Sequence, residues 1–205
     1  MRSDMTQLPR IFRIALPATA SLFLLSACGG LLSSKPPRYL FNLTPASKVA
    51  AGRVQTGSTD TAFIVSTPSI SQKLATTRIP VQSTTNQVAY LVDAKWVESP
   101  ANLFQVLLSE TITARTGKLV LNEGETPARP GNRLMGDLVD FGIDEATSSA
   151  IVTYDAVMTN ANGEVIRKQR FTASEPVSKI TADYAGGALN RAANAVAVQV
   201  ADWVG

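Results

Sequence analysis

The strongest constraint on the fold is an alternating segment that ends in a turn signal. Between residues 149 and 159, apolar and polar side chains alternate with a period of two, which is typical of a half-buried β-strand. The apolar set is Ala150, Val152, Tyr154, Ala156 and Met158. An Asn-Gly pair follows at Asn162-Gly163 and favours a tight hairpin. Residues 164–173 are therefore predicted to return as a more polar strand, solvated on one face or lying at a sheet edge.

Two other segments carry apolar residues at helical spacing. Ser99-Pro100 can begin the first, since serine is a good N-cap and proline is tolerated at the first helical position, and Gly117 can end it. Its apolar stripe is Leu103, Phe104, Leu107, Leu108 and Ile112. In the second, apolar residues recur four apart at Ile180, Tyr184, Ala188, Ala192, Val196 and Val200. Gly186-Gly187 lowers its helix propensity by about 1 kcal/mol per glycine and would allow a kink.

Shorter extended segments complete the pattern. They cover residues 39–43, 62–65, 78–81, 88–97 and 133–144. Residues 44–60 are poor in large apolar groups and are predicted to form a long exposed loop. This order predicts an α+β fold: a single domain with a largely antiparallel or mixed sheet and two main helices packed on one side.

The composition excludes several kinds of chemistry. The 205 residues include no histidine and one cysteine, Cys28, so a Ser-His-Asp triad, an internal disulfide and a cysteine-rich zinc site are all excluded. The net charge of +3 falls to +1 without residues 1–27, and the lysines are scattered, which argues against nucleic acid as a partner. We therefore predict no enzyme activity, no catalytic residue, no cofactor and no metal site.

Two groups of side chains have both a structural and a functional interpretation. The densest carboxylates are Asp137, Asp140, Asp144 and Glu145. In a regular strand Asp137 and Asp140 would lie on opposite faces because their separation is odd, so we expect solvated strand and turn residues rather than an acid–base pair. The aromatic residues Trp96, Phe104 and Trp203 could line an apolar groove, but packing in the core is their more usual role.

Residues 1–27 have the three zones of an export signal. A positively charged start is followed by a short apolar stretch, residues 14–25, which Pro17 interrupts. This stretch is too short to cross a bilayer, which takes about 20 residues. The following Leu25-Ser26-Ala27-Cys28 resembles the lipobox of bacterial lipoproteins. In such proteins the cysteine thiol receives diacylglycerol, the signal is cut before the cysteine, and the new amino group is usually acylated too, with chains such as palmitate.

The lipobox resemblance divides the chain into three parts. Residues 1–27 are the signal peptide, residues 28–38 are the lipidated Cys28 and a tether, and residues 39–205 are the periplasmic domain. Two or three acyl chains give a stable membrane anchor where one alone does not. Many lipoproteins that are retained at the inner membrane carry aspartate directly after the lipidated cysteine. This chain has Gly29 at that position, which favours a location at the outer membrane, facing the periplasm.

Beyond the lipobox, the chain resembles the auxiliary lipoprotein components of ABC-type transport systems, the group that includes paraquat-inducible protein C. The matching segments are Arg38–Leu43, Ile64-Val65, Leu74, Arg78-Ile79, Ala94–Pro100 and Leu107-Leu108. The basic residue and tryptophan before the proline form the most diagnostic block, in which Lys95 stands where arginine is more common.

The family resemblance implies a function and a partner. Such lipoproteins are non-catalytic subunits that dock onto a periplasmic mammalian-cell-entry-type protein, in systems that move lipids or other apolar molecules between the two membranes. An envelope assembly factor and a carrier with its own apolar pocket are the alternatives. The sequence leaves homo-oligomerisation open, and it does not identify the docking surface.

Overall fold

Both predicted helices are present in the computed structural model, which describes residues 36–58, 61–125 and 131–205. Helix α1 (Pro100–Thr116) follows Ser99 and ends at Gly117, whose positive φ of 69° lets its N–H donate to the Thr113 carbonyl at 3.0 Å. Helix α2 (Ala182–Val204) runs through the two glycines without interruption. The predicted positions of both helices are therefore confirmed.

The described part of the chain forms nine strands in one mixed sheet. They are β1 (Tyr39–Phe41), β2 (Phe63–Val65), β3 (Ser69–Ile70), β4 (Arg78–Thr84), β5 (Gln87–Trp96), β6 (Val120–Leu121), β7 (Arg133–Asp144), β8 (Ser149–Thr159) and β9 (Val165–Pro176). The alternating segment and its predicted hairpin partner are β8 and β9, which pair antiparallel along their length.

Strand β7 is the centre of the sheet. Strands β8 and β9 extend from one of its edges, while β2, β3 and β4 share the other edge one after another. Beyond β4 come β5 and then β1, and β6 pairs with β2. Strands β1 and β9 therefore form opposite edges of the sheet.

Both helices pack on the same face of the sheet. Phe104 of α1 makes an edge contact with Tyr154 of β8, with ring centres 5.4 Å apart, and Trp203 of α2 makes one with Phe171 of β9 at 5.6 Å. Tyr154 and Phe171 are direct cross-strand partners, so they point to the same side. The predicted α+β arrangement, with two helices on one side of a mixed sheet, is confirmed.

The segment after β1 is an exposed loop over its described residues 44–58, as predicted. Its first residues are nevertheless bound to the domain, because Asn190 and Asn194 of α2 bind their backbone. The Asn190 side-chain oxygen accepts from the Thr44 N–H at 2.8 Å, and that of Asn194 accepts from the Ala46 N–H at 2.7 Å. Sequence patterning missed this because two asparagines on a helix do not indicate what they bind.

Candidate functional site

The face of the sheet opposite the helices is here called the open face, and neither α1 nor α2 packs on it. Strand register arranges it in rows that take one residue each from β7, β8 and β9. The rows are Met135, Val157 and Lys168; Asp137, Asp155 and Arg170; Asp140, Thr153 and Thr172; and Gly142, Ile151 and Ser174. It offers apolar, charged and hydroxyl groups in turn.

A β-bulge places two of the predicted carboxylates on the open face together. The pairing of β7 with β8 slips between Leu138 and Asp140, so Asp137 lies opposite Asp155 and Asp140 lies opposite Thr153. Because Asp155 and Thr153 share a face, Asp137 and Asp140 do as well. The expectation of opposite faces was wrong, since it assumed a regular strand. The phase change from Leu138 to Phe141, both buried at an odd separation, was the available sign of the bulge.

Two of the three carboxylates on the open face, those of Asp155 and Asp140, are paired with cations. Arg170 donates two hydrogen bonds to the Asp155 carboxylate, at 2.6 Å from Nε to Oδ1 and 2.7 Å from Nη2 to Oδ2. The guanidinium holds the pKa of the Asp155 carboxyl below its ordinary value. The Lys73 ammonium lies 2.7 Å from Oδ1 of Asp140. These groups are therefore set up as a fixed charge pattern and not as a proton-transfer pair.

The other two carboxylates belong to the turn between β7 and β8, as predicted. Asp144 accepts hydrogen bonds from the N–H groups of Ala146 and Thr147, at 2.9 and 3.4 Å, in an Asx-type turn. Glu145 is exposed. Among the described residues, no group of three histidine, cysteine, aspartate or glutamate side chains is placed to hold a metal ion.

A shallow cleft of about 220 Å³ opens where β4 meets β7 on the open face. Pro80, Ile151 and Gly142 line it, and the Lys73–Asp140 ion pair stands at its margin. Ligand pockets usually measure about 300–1,000 Å³. The cleft is therefore suited to one or two side chains of a partner and not to a whole lipid.

The hairpin end of the open face is apolar and exposed. Met135 is 39% exposed and Ile166 is 46% exposed, and Val157 is half-buried between their strands. Strand β9 pairs with β8 on one side and with no other strand in the described ranges. Its outer edge can therefore accept another strand.

The aromatic residues suspected of lining a groove form part of the core instead. Trp96 stacks on Phe141 with ring centres 4.9 Å apart, and both Trp96 and Phe104 are buried. Trp203 is partly exposed and packs against Phe171, with the Arg167 guanidinium 4.6 Å above its ring. Core packing is confirmed for Trp96 and Phe104, and Trp203 packs against the margin of the core.

The predicted lipidation site and signal peptide lie outside the described residues, as do Gly29 and the start of the tether. Within the described ranges, no helix has the length and apolar character needed to cross a membrane. The open face is the feature that sequence reasoning missed, because it depends on which strands lie beside one another. The predicted position of the returning strand at a sheet edge is confirmed for β9 within the described ranges.

Two solved structures share this fold. A protein from Xanthomonas campestris assigned to family DUF330 is 18% identical, with a TM-score of 0.68 over 80% of this chain and 93% of that chain. A second, uncharacterised protein is 12% identical, with a TM-score of 0.65 over 82% of this chain and 99% of that one. No curated protein matches this sequence significantly.

A sequence family matches most of the chain. Residues 41–201 match the family described as the ABC-type transport auxiliary lipoprotein component. The match runs from the last residue of β1 into the last turn of α2, so it includes the core, both helices and the open face. The chain belongs to the family of ABC-type transport auxiliary lipoprotein components.

Proposed function

We propose that this protein is a non-catalytic, lipid-anchored subunit of an envelope ABC transport system that moves lipids or similar apolar molecules. The family match over residues 41–201 is the observation that carries the proposal. Its site provides fixed ion pairs and an open sheet face, which suit binding to another protein better than catalysis. The partner is a periplasmic mammalian-cell-entry-type protein of the same system.

Cys28 attaches the domain to the membrane in this proposal, and Gly29 directs it to the outer membrane, facing the periplasm. Intact-mass measurement of the membrane-extracted protein should find the acyl chains and a chain that begins at Cys28. The Cys28→Ala variant should lack both the acyl chains and this cleavage. A wild-type mass without an acyl adduct would refute the anchor, and recovery of wild type from the inner membrane alone would refute the outer-membrane location.

The partner binds the open face at its hairpin end, alongside β9. Burial of the apolar side chains of Met135, Val157 and Ile166 would supply favourable free energy, and the free edge of β9 would supply backbone hydrogen bonds. A second copy of this chain is a poor occupant of that edge. In an antiparallel β9–β9 pairing centred on Gln169, Lys168 would face Arg170 of the other copy, and like charges directly opposite destabilise a sheet.

The occupant is therefore an extended segment of the mammalian-cell-entry-type protein that carries carboxylates next to apolar side chains. The test is titration of the purified lipoprotein with the periplasmic part of that protein, comparing Ile166→Asp and Lys168→Glu with Val106→Asp. Val106, on α1, is the matched control because it is an exposed aliphatic residue on the helix side of the sheet, 56% exposed against 46% for Ile166.

Both open-face variants should weaken binding by about tenfold or more, as loss of a central apolar or charged contact usually does, while Val106→Asp binds like wild type. Equal affinity of all four proteins would contradict this docking face. Absence of binding by folded wild type would contradict the partner itself. Self-association of the wild type that Ile166→Asp abolishes would favour a homo-oligomer instead.

The alternative of an apolar-ligand carrier fits the structure less well. A larger groove of about 400 Å³ lies beside β5, but Arg38, Asp93 and Asp183 line it, and such charged groups are costly to bury against an acyl chain. The purified domain should therefore contain no lipid. Lipid found at one molecule per protein by mass spectrometry would favour the carrier.

A further inference from the structure

The hairpin turn between β8 and β9 holds two asparagines in different surroundings. Asn160 begins the turn, and its carbonyl accepts a hydrogen bond from the Gly163 N–H at 2.9 Å. Gly163 has a positive φ of 83°, which glycine adopts without strain. Asn162 lies directly before this glycine and is exposed. The turn therefore presents an Asn-Gly sequence at the surface of the protein.

The side chain of Asn160 is bound through both atoms of its amide. Its oxygen accepts hydrogen bonds from the N–H groups of Asn162 and Glu164, at 3.0 Å each, and its nitrogen donates to the Glu164 carboxylate at 2.7 Å. The backbone N–H of Asn160 also donates to the Glu164 carbonyl at 3.0 Å, which closes the hairpin. Asn160 is therefore fixed in place, and its side chain stabilises the turn.

The side chain of Asn162 has no such partner. Within the described ranges it makes no hydrogen bond, and only the backbone N–H of this residue is bound, to Asn160. A Cβ atom built on Gly163 would meet nothing within 4 Å, so the turn is not crowded at this point. The amide carbon of Asn162 and the backbone nitrogen of Gly163 would close a five-membered ring if they were joined. Asn162 therefore has a free amide next to an unhindered nitrogen.

We propose that Asn162 is a site of spontaneous deamidation, and that the Asn160 side chain sets its rate by holding the turn closed. Hydroxide takes the proton of the Gly163 N–H, the nitrogen bonds to the Asn162 amide carbon, and the amide nitrogen leaves as ammonia after gaining a proton from water. Water then opens the succinimide ring at either carbonyl. The products are aspartate, in the original chain, and isoaspartate, in which the backbone runs through the former side chain.

The folded turn opposes this reaction through the hydrogen bond that Gly163 donates. The proton of its N–H is bound to the Asn160 carbonyl, and this proton must leave before the ring can close. The reaction therefore proceeds when the turn opens locally. The three side-chain hydrogen bonds of Asn160 determine how often the turn opens. Asn160 is thus a positioning residue that protects its neighbour.

A second hairpin of the same chain provides the comparison. Asn86 lies in the turn between β4 and β5 and is exposed, like Asn162. Its side-chain oxygen accepts a hydrogen bond from the Thr84 hydroxyl at 3.1 Å, and Gln87 follows it instead of glycine. The side chain of Gln87 hinders ring closure at its own backbone nitrogen. Exposure is therefore shared by the two asparagines, whereas a free amide and a following glycine distinguish Asn162.

Deamidation changes the hairpin in two ways. Either product adds a negative charge to a turn that already contains Glu164. Isoaspartate also lengthens the backbone between Asn160 and Gly163 by one carbon atom, so the 2.9 Å hydrogen bond between them cannot keep its geometry. The modified turn is therefore a weaker link between β8 and β9.

The test incubates the purified folded protein at mildly alkaline pH and follows each asparagine by peptide mass mapping. Conversion changes the peptide mass by the difference between an amide and an acid. Asn162 should convert faster than Asn86. Asn160→Ala should accelerate conversion at Asn162 by about tenfold, which corresponds to a loss of about 1.4 kcal/mol in the stability of the turn. Glu164→Gln, which weakens one of the three hydrogen bonds, should give a smaller acceleration. Asn162→Gln, whose amide would need a larger ring, should not convert.

Unfolding in urea removes the turn and separates the two parts of the proposal. Wild type and Asn160→Ala should then convert at the same rate, and faster than the folded wild type. Conversion at Asn162 that is no faster than at Asn86 in the folded protein would overturn the site. Equal rates in the folded wild type, Asn160→Ala and Glu164→Gln would overturn the protective role of Asn160, as would equal rates in folded and unfolded wild type. Circular dichroism and the urea midpoint identify the folded state of each variant.

Discussion

The two adjacent glycines of α2 should respond in opposite ways to the same substitution. Alanine is better than glycine in a helix interior by about 1 kcal/mol, so both Gly186→Ala and Gly187→Ala gain helix propensity. At Gly187 the new methyl group would have its nearest neighbour, the Arg191 guanidinium, at 3.5 Å, which is an ordinary van der Waals distance. Gly187→Ala should therefore raise the free energy of unfolding by about 1 kcal/mol.

Gly186 differs because strand β1 packs directly against it. A methyl group there would lie 2.9 Å from Cε1 and Cζ of the Phe41 ring, whereas ordinary carbon contacts are about 3.5–4.0 Å. The ring must retreat, and Phe41 itself contacts Trp96 with ring centres 6.1 Å apart. Overpacking of this kind costs about 1–3 kcal/mol. Gly186→Ala should therefore lower the free energy of unfolding by about 0–2 kcal/mol, after the gain in helix propensity is subtracted.

Urea unfolding of the two variants, compared at equal m-values, measures the difference between their free energies of unfolding. This difference should be about 1–3 kcal/mol. In a Phe41→Leu background the difference should shrink, because the smaller side chain leaves room for the methyl group. Equal stabilisation by the two alanines in the wild-type background would refute the argument that β1 needs a glycine on α2.

Three further predictions concern the centre of the sheet. A methyl group at Gly136 would collide with the backbone carbonyl of Asp155 on β8, so Gly136→Ala should lower the unfolding free energy by about 3 kcal/mol or more, with the chemical midpoint as the check. The buried Tyr154 hydroxyl has no hydrogen-bond partner in the described ranges, and burial raises its pKa. Tyr154→Phe should therefore be neutral or stabilising by about 1 kcal/mol in thermal unfolding, and a clear loss would show that the hydroxyl does have a partner. Because Arg170 lowers the pKa of Asp155 in the folded state, the contribution of this pair is present above the unfolded pKa of about 3.9 and is lost as the pH falls through the lower folded value. Asp155→Asn should accordingly flatten the acid side of the stability–pH curve, and an unchanged curve would argue against the pair.

Local periodicity was sufficient to predict the elements that carry most of the core. The β8 alternation, the Asn-Gly turn, the Ser-Pro helix start and the four-residue spacing in α2 each depend on near neighbours in the chain, and the structure confirms all four. The buried positions of Trp96 and Phe104 were also predictable, because large aromatic side chains are usually buried in a domain of this size.

The open face could not be predicted in the same way. Its rows depend on the register between strands that are distant in sequence, such as Asp137 opposite Asp155, and on one extra residue at Val139. Side chains of a regular strand alternate between its two faces, so an assignment that ignores the extra residue places every β7 side chain beyond the bulge on the wrong face. Likewise, the bound segment after β1 depends on Asn190 and Asn194, whose partners lie about three-quarters of the chain away.

The binding of that segment has a consequence for when the molecule can be complete. Tyr39, Thr44 and Ala46 are fastened by α2 residues that lie 144 to 148 positions later in the chain. These three hydrogen bonds of the first part of the domain to be synthesised therefore cannot form until the last part has been made. During that interval β1 is held mainly by its backbone pairing with β5, and a strand edge that is only weakly covered is prone to wrong pairing. Protection of the unfinished chain against wrong strand pairing is thus most important just before α2 has been synthesised and has folded.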